Sequence, residues 1–317
     1  MNLFNYLARF FHVLFRASAV AAPARCSLGS LEQQLECEPE MQDRVIRVYA
    51  TPDAAALVGA AELSTCVVKN CLLVSDHEMR ESAQAAIFTP QDAPLTNRSA
   101  AQLGIMLLLE SPPNTPRLSE WNGKINYTAA YHSKSDIPAP YGLIKRRTRP
   151  LRAVGQSKRK KKEAPIVENE NDLQIKRAGF CGLLPTASLT VGERSSWLPF
   201  NPFVPIDIYG ACGRGRITPD QRIALMNSHR FYLAFENSRC EEYVTEKFFD
   251  ALRHNILPVV YGTSRETLER IAPPHSFVHV DDFAGVGELG SHLHHLATNQ
   301  TAYDAYFEWK RLYYLDR

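Results

Sequence analysis

From Phe231 to Gly262 the chain reads FYLAFENSRCEEYVTEKFFDALRHNILPVVYG, and this stretch constrains the fold more than any other. Phe231 to Phe235 is a short apolar run of the kind a parallel strand shows when both its faces are covered. The run stops abruptly at Glu236, Asn237 and Ser238. Thr245 then suits a helix N-cap, after which Phe248, Ala251 and Leu252 recur at the spacing of one helical face. A second apolar run, Ile256 to Tyr261, ends at Gly262. Strand, helix and strand in so short a span make a βαβ unit, whose crossover is right-handed and whose ligands bind beyond the carboxyl ends of the strands. Glu236 and Asn237 fall at that edge. The helix N-terminus brings free amides and partial positive charge, which suit a pyrophosphate, and Lys247 adds a full charge in the first turn. Beside it, Glu246 can accept hydrogen bonds from sugar or ribose hydroxyls. An isolated Glu-Lys pair at a helix start is also ordinary solvated surface, so the pair alone decides nothing.

The same alternation of short apolar runs and helical spacing extends to both sides. Arg44 to Tyr49, Cys71 to Val74, Ala86 to Phe88 and Ile105 to Leu109 are strand candidates, the last delivering Glu110 at its tip. Pro205 to Tyr209 and Phe277 to Val280 are further strands, Arg265 to Ile271 a short helix, and Val286, Leu289, Leu293 and Leu296 form one helical stripe. His292, His294 and His295 within that helix match no common ligand spacing and read as a solvated face. Lys145 to Lys162 carries ten Lys or Arg and no acid, so a formal net charge of +2 leaves the rest of the chain acidic. No aromatic residue is interleaved there to stack on bases, and no recognition module adjoins it, so the run reads as an interdomain insertion and not as a nucleic-acid site. The resulting division is residues 1–40 as an N-terminal segment, 41–145 as a first α/β domain, 146–174 as a charged linker, 175–300 as a second domain and 301–317 as a closing helix.

The string FYLAFENS, followed by Tyr243 and the Thr245, Glu246, Lys247 triplet, resembles the signature of the GDP-fucose-dependent α1,3-fucosyltransferases. ESPPNTP from Glu110 to Pro116, INYTAAYHSKSDIPAPYG from Ile125 to Gly142, IDIYGACG from Ile206 to Gly213, FVHVDDF from Phe277 to Phe283 and YFEWK from Tyr306 to Lys310 are similar to further segments of that family, in the same order. The EKFF after the threonine and the cysteine within ENSRC lean toward invertebrate or core-type members. The resemblance implies a GT-B fold, in which two Rossmann-like α/β domains face each other across a cleft, the first holding the acceptor and the second the nucleotide sugar.

It also implies a reaction: inverting transfer of L-fucose from GDP-β-L-fucose, in α1,3 linkage, to an N-acetylglucosamine-containing glycan or glycoprotein. Glu110 is the expected catalytic base. Arg194, Glu236, Asn237, Tyr243, Glu246 and Lys247 are the expected donor-binding residues, although the segment before Arg194 lacks the tryptophan, serine and asparagine that usually precede that arginine. His132 stands where the family usually has an arginine. The chain contains no Asp-x-Asp motif, so protein cations are expected to replace a metal, with GDP-fucose as substrate and no cofactor. A relative that kept the fold and lost donor turnover remains the alternative. Cys66 with Cys71, and Cys212 with Cys240, resemble cysteine positions of the family, and disulfides suit a secretory lumen. Asn97, Asn126 and Asn299 each open a glycosylation sequon. The family implies a lumenal Golgi enzyme on a single N-terminal membrane anchor. The segment available for that, Asn2 to Ala24, is interrupted by Arg9, His12 and Arg16, and hydropathy alone does not identify a span.

Overall fold

The computed structural model describes residues 45–58, 71–94, 98–150, 175–178, 206–209 and 215–316. The chain divides into two compact units, Met1–Pro140 and Tyr141–Arg317.

In the first unit, β1 (Ile46–Ala50), β2 (Cys71–Val74), β3 (Ala85–Phe88), β4 (Leu103–Leu108), β5 (Tyr127–Ala130) and β6 (Ile137–Pro138) form one sheet in the order β2-β1-β3-β4-β5-β6. Every pairing is parallel. Successive strand residues alternate between two apolar layers, as the period of two demands. Ile46, Val48, Ala50, Ile87, Ile105 and Leu107 pack on one side with Ala54 and Val58 of helix α1 (Pro52–Val58). Tyr49, Ala86, Phe88, Met106 and Trp121 pack on the other. The chain steps from β1 outward to β2, then returns past β1 to β3, so the strand order reverses between β1 and β3. That reversal opens a crevice at the carboxyl edge, where doubly wound sheets bind ligands.

The second unit repeats the plan. Its strands β8 (Ile175–Ala178), β9 (Ile206–Tyr209), β10 (Phe231–Phe235), β11 (Leu257–Tyr261) and β12 (Val278–His279) run in the order β12-β11-β10-β8-β9, again all parallel. Its order reverses between β8 and β10. Phe231, Leu233, Leu257 and Val259 face helix α5 (Val286–Thr298), which contributes Leu289, Leu293 and Leu296. Tyr232, Ala234 and Val260 face α3 (Glu246–Arg253) and α4 (Arg265–Ile271), which contribute Phe248, Leu252 and Leu268. Burying side chains of this size contributes about 1.5–3 kcal/mol each. The helix before β10, α2 (Pro219–Ser228), starts in a full capping box between Thr218 and Gln221. At the end of α3, Asn255 takes a left-handed φ of 59° that turns the chain straight into β11.

Two expectations about boundaries are corrected. Residues from Tyr141 onward belong to the second unit, because β7 (Ile144–Arg146) pairs antiparallel with β13 (Tyr313–Leu315). The expected closing helix is likewise broken into α6 (Gln300–Ala305), a 3-10 turn at Glu308–Arg311 and β13. Trp309 is buried in the α3 layer, and the Tyr-Tyr-Leu segment beyond it finds a strand partner that a linker starting at residue 146 would have denied it. Most of the basic run lies outside the described residues.

Candidate functional site

The carboxyl edge of β10 is built around a buried carboxylate. Glu236 follows the last residue of β10, and its backbone N–H donates to Tyr261 O at 2.9 Å, which extends the ladder with β11 by one step. Its side chain turns inward beneath the loop that leads to α3. There the Thr245 N–H donates to Oε1 at 2.8 Å, the Thr245 hydroxyl lies 3.0 and 2.9 Å from Oε1 and Oε2, and the Lys247 ammonium donates to Oε2 at 2.9 Å. Glu236 and Lys247 are 4% and 3% exposed. Burial raises the Glu236 carboxyl above the ordinary carboxylate range, opposed by the charge of Lys247 and the donors of Thr245. The geometry is that of an ion pair with its lone pairs satisfied, the condition under which a buried pair is tolerated.

This arrangement changes the expected role of Lys247. Its ammonium also lies 3.3 Å from the Thr245 hydroxyl, so the first-turn cation is paired and enclosed, not free at the surface. Tyr243, expected to face the donor, is 1% exposed and packed inside the unit. Glu246 and Asn237 keep partial exposure. Thr245 is the N-cap of α3, as expected, and the same hydroxyl that caps the helix grips Glu236. Gly262 completes the corner. Its φ is +114°, and a Cβ there would sit 2.7 Å from Cβ of Glu236, so the position requires glycine on both counts.

Glu110 lies two residues beyond the end of β4, exposed at the carboxyl edge of the first unit's sheet. The chain then dips, burying Ser111 and forming a 3-10 turn at Pro112–Asn114, which Thr115 closes by donating from its hydroxyl to Ser111 O at 2.8 Å. Two strands along the same edge, at the order reversal, one oxygen of Asp92 collects three hydrogen bonds. Oδ2 accepts from the Thr51 hydroxyl at 2.7 Å, the Thr89 hydroxyl at 2.9 Å and the Thr89 N–H at 2.6 Å, tying the ends of β1 and β3 together. Sequence reasoning passed over Asp92, since nothing in a local pattern announces that it also grips Thr51, 41 residues away.

Arg194, Cys66, Cys212 and Asn97 lie outside the described residues. Cys71 opens β2, and Cys240 is a free cysteine, its expected partner Cys212 lying outside the described residues. Asn126 is exposed just before β5, where its Oδ1 accepts from the Gly104 N–H at 2.8 Å. That is the amino edge of the sheet, opposite Glu110. Asn299 is exposed and caps α6 through its side chain. His292 departs from the solvated face assigned to it: it is half-buried, 3.2 Å from the Tyr306 hydroxyl and with its ring 5.1 Å from that of Phe283, and burial lowers its pKa. His294 and His295 are exposed. Among the described residues no group of three His, Cys, Asp or Glu could hold a metal ion, and no helix is long and apolar enough to cross a membrane.

Comparison with known proteins places these features in a family. The N-terminal fucosyltransferase model matches residues 42–142, and the model "Glycosyltransferase family 10 (fucosyltransferase) C-term" matches residues 197–317, so together they span more than half of the chain. The chain is 30% identical to glycoprotein 3-alpha-L-fucosyltransferase A of Drosophila melanogaster, in an alignment covering 77% of this chain and 48% of that one. It is 33% identical to alpha-(1,3)-fucosyltransferase 4 of Bos taurus, covering 75% and 56%. It thus spans about half the length of these relatives. The fold is similar to a crystal structure of an alpha1,3-fucosyltransferase with GDP-fucose, with a TM-score of 0.52 at 15% identity, over 93% of this chain and 88% of that one. The two parallel α/β sheets are accordingly the Rossmann-like units of a GT-B-type fold. The chain belongs to glycosyltransferase family 10, the fucosyltransferases.

Proposed function

We propose that this protein transfers L-fucose from GDP-β-L-fucose to the 3-hydroxyl of an N-acetylglucosamine unit in a glycan or glycoprotein, with inversion at the anomeric carbon. The observation that carries this reading is the exposed carboxylate of Glu110 at the carboxyl edge of a parallel sheet, in a chain whose other sheet bears the family's donor motif at its own carboxyl edge. In the reaction, Glu110 takes the proton from the acceptor hydroxyl as its oxygen attacks the anomeric carbon. The bond from that carbon to the β-phosphate oxygen breaks on the opposite face, the electron pair leaves with GDP, and the β-linked donor becomes an α-linked product. Negative charge grows on the departing diphosphate, and fixed donors aimed at it stabilise the transition state.

Lys247 and Glu236 together carry little net charge, so the pair by itself supplies little of that stabilisation. The first-turn amides of α3 and Arg194 are the remaining sources, the latter by its match to the family arginine. Glu246 and Asn237, partly exposed beside α3, are assigned to the hydroxyls of the donor. No metal or other cofactor enters the scheme, an assignment that rests on the absence of an Asp-x-Asp motif from the sequence. The same family kinship supports a lumenal Golgi protein anchored through residues 2–24, a segment outside the described residues. A mass-spectrometric screen of glycan acceptors with GDP-fucose tests the reading. A fucosylated product carrying a new α1,3 linkage, formed equally well in EDTA, is expected. Release of no GDP with any acceptor would defeat it, and a requirement for a divalent cation would defeat the metal-free scheme.

A further inference from the structure

The first residues of the basic run form one half of the ribbon that β7 makes with β13. Ile144 of β7, with Tyr313 and Leu315 of β13, packs against the α3 layer, so the alternation of a strand turns Lys145 and Tyr314 to the opposite side. Those two are cross-strand partners, and both are exposed. Arg147, the next residue on that side, is held at three points. Its N–H donates to Leu312 O at 2.6 Å, its Nε donates to Lys310 O at 3.2 Å, and its guanidinium lies 5.3 Å from the centroid of the Tyr314 ring. Both terminal amino groups of that guanidinium are without a partner among the described residues.

The charge of this ribbon opposes that of the acidic remainder of the chain. From Ile144 to Pro150 and from Glu308 to Asp316 stand six Lys or Arg and two acids. Both acids are already engaged, Asp316 with Lys145 at 2.7 Å and Glu308 with Arg311 at 3.3 Å. Arg146, Arg147 and Arg149 have no carboxylate partner among the described residues, so the ribbon suits an occupant with repeated negative charge. A fixed guanidinium edge receives an oxyanion through two parallel N–H bonds. Beside it, Tyr314 and Leu312 are 36% and 38% exposed and offer an apolar surface on which a sugar ring can lie. One aromatic residue supplies no series of platforms for the bases of a nucleic acid. A small inorganic anion would leave Tyr314 and Leu312 uncovered.

We propose that the outward side of this ribbon docks a sulfated polysaccharide, with a sulfate on the free edge of the Arg147 guanidinium and a sugar ring against Tyr314 and Leu312. None of these residues takes part in the transfer chemistry assigned above. The ribbon would therefore hold the protein on sulfated glycan chains without entering the reaction.

Titration calorimetry of the full chain with heparin, with hyaluronan (a polysaccharide whose only charges are carboxylates) and with an oligothymidylate of matched charge tests the assignment. Heparin is expected to bind at least about tenfold more tightly than either of the others. Arg147→Gln should weaken heparin by about tenfold or more, and Tyr314→Leu, which removes no charge, by about threefold. Both variants should fold and transfer fucose to a small neutral acceptor at the wild-type rate. A further variant, with Arg152, Lys158, Arg159, Lys160, Lys161 and Lys162 all replaced by glutamine, separates the ribbon from the rest of the basic run. It should still bind heparin and still lose affinity when Tyr314→Leu is added. Heparin binding that Tyr314→Leu leaves unchanged, or that vanishes when the rest of the run is neutralised, would reveal a diffuse charge effect and overturn the site. Equal binding of hyaluronan or of oligothymidylate would overturn its identity. A protein without fucosyl transfer that still shows these responses to heparin would defeat the activity reading and leave the ribbon site standing.

Discussion

Over five strands the two units share one strand order, to which the first adds β6, and they differ in how they treat charge at the carboxyl edge. In the first unit, Glu110 stands exposed beyond β4, and Asp92 has one oxygen saturated by two threonines. In the second, Glu236 and Lys247 are drawn under the loop and joined to each other. One edge presents a carboxylate to solvent. The other makes its acid and base neutralise each other, and so fixes the start of α3. A shared strand order thus carries an exposed acid at one edge and a buried ion pair at the other, because the side chains that leave the strands, not the strand order, decide which groups meet water.

The contrast is broken most severely by separating the buried pair. Lys247→Met leaves a carboxylate buried without its cation, and Glu236→Gln the reverse; each should lower the stability of the second unit by about 3–5 kcal/mol. The double variant should recover much of that loss. Chemical denaturation of the single and double variants reads the cycle, and additive losses would show that the two groups do not act as a pair. A smaller effect is expected at the corner they occupy. Gly262→Ala combines a crowded Cβ with a backbone φ of +114° and should cost on the order of 1–3 kcal/mol, whereas Gly123→Ala, at φ 72° but in open space, isolates the backbone contribution. Equal costs at the two sites would remove the packing argument.

The smallest effect concerns pH. Lys310 donates to Leu252 O at 3.3 Å at the end of α3, and burial lowers its pKa to about 8. The folded state therefore favours the neutral amine relative to the unfolded chain. Its contribution to stability is full above the ordinary lysine range and is lost as pH falls through about 8. Compared with Lys310→Met, the wild-type protein should gain stability between about pH 8 and pH 10. A pH-independent difference in unfolding temperature between the two would contradict the shift.

Much of this architecture could be read from local pattern. The residues of β10 and of α4, and the capping role of Thr245, are those the sequence suggests. Glu110 falls at the tip of an apolar strand as read, although β4 itself starts two residues earlier and ends one residue sooner. Periodicity and capping are properties of neighbouring residues, so they survive translation into structure. What escaped was non-local. Glu236 and Lys247 are 11 positions apart and become partners only when the loop folds over them. Tyr313–Leu315 lacks any local mark of its strand partner at Ile144–Arg146, which pairs Tyr313 with Arg146 across about half the chain. His292 looked solvated because its covering rings, Phe283 and Tyr306, come from segments outside its own helix.

The division of labour between the two edges is tested most directly by Glu110→Gln, assayed in parallel for fucosyl transfer and for GDP binding. Loss of about 10²–10⁴-fold in turnover is expected, with GDP affinity unchanged and stability within about 0.5 kcal/mol of wild type. Turnover at the wild-type rate in a folded Glu110→Gln protein would contradict the account.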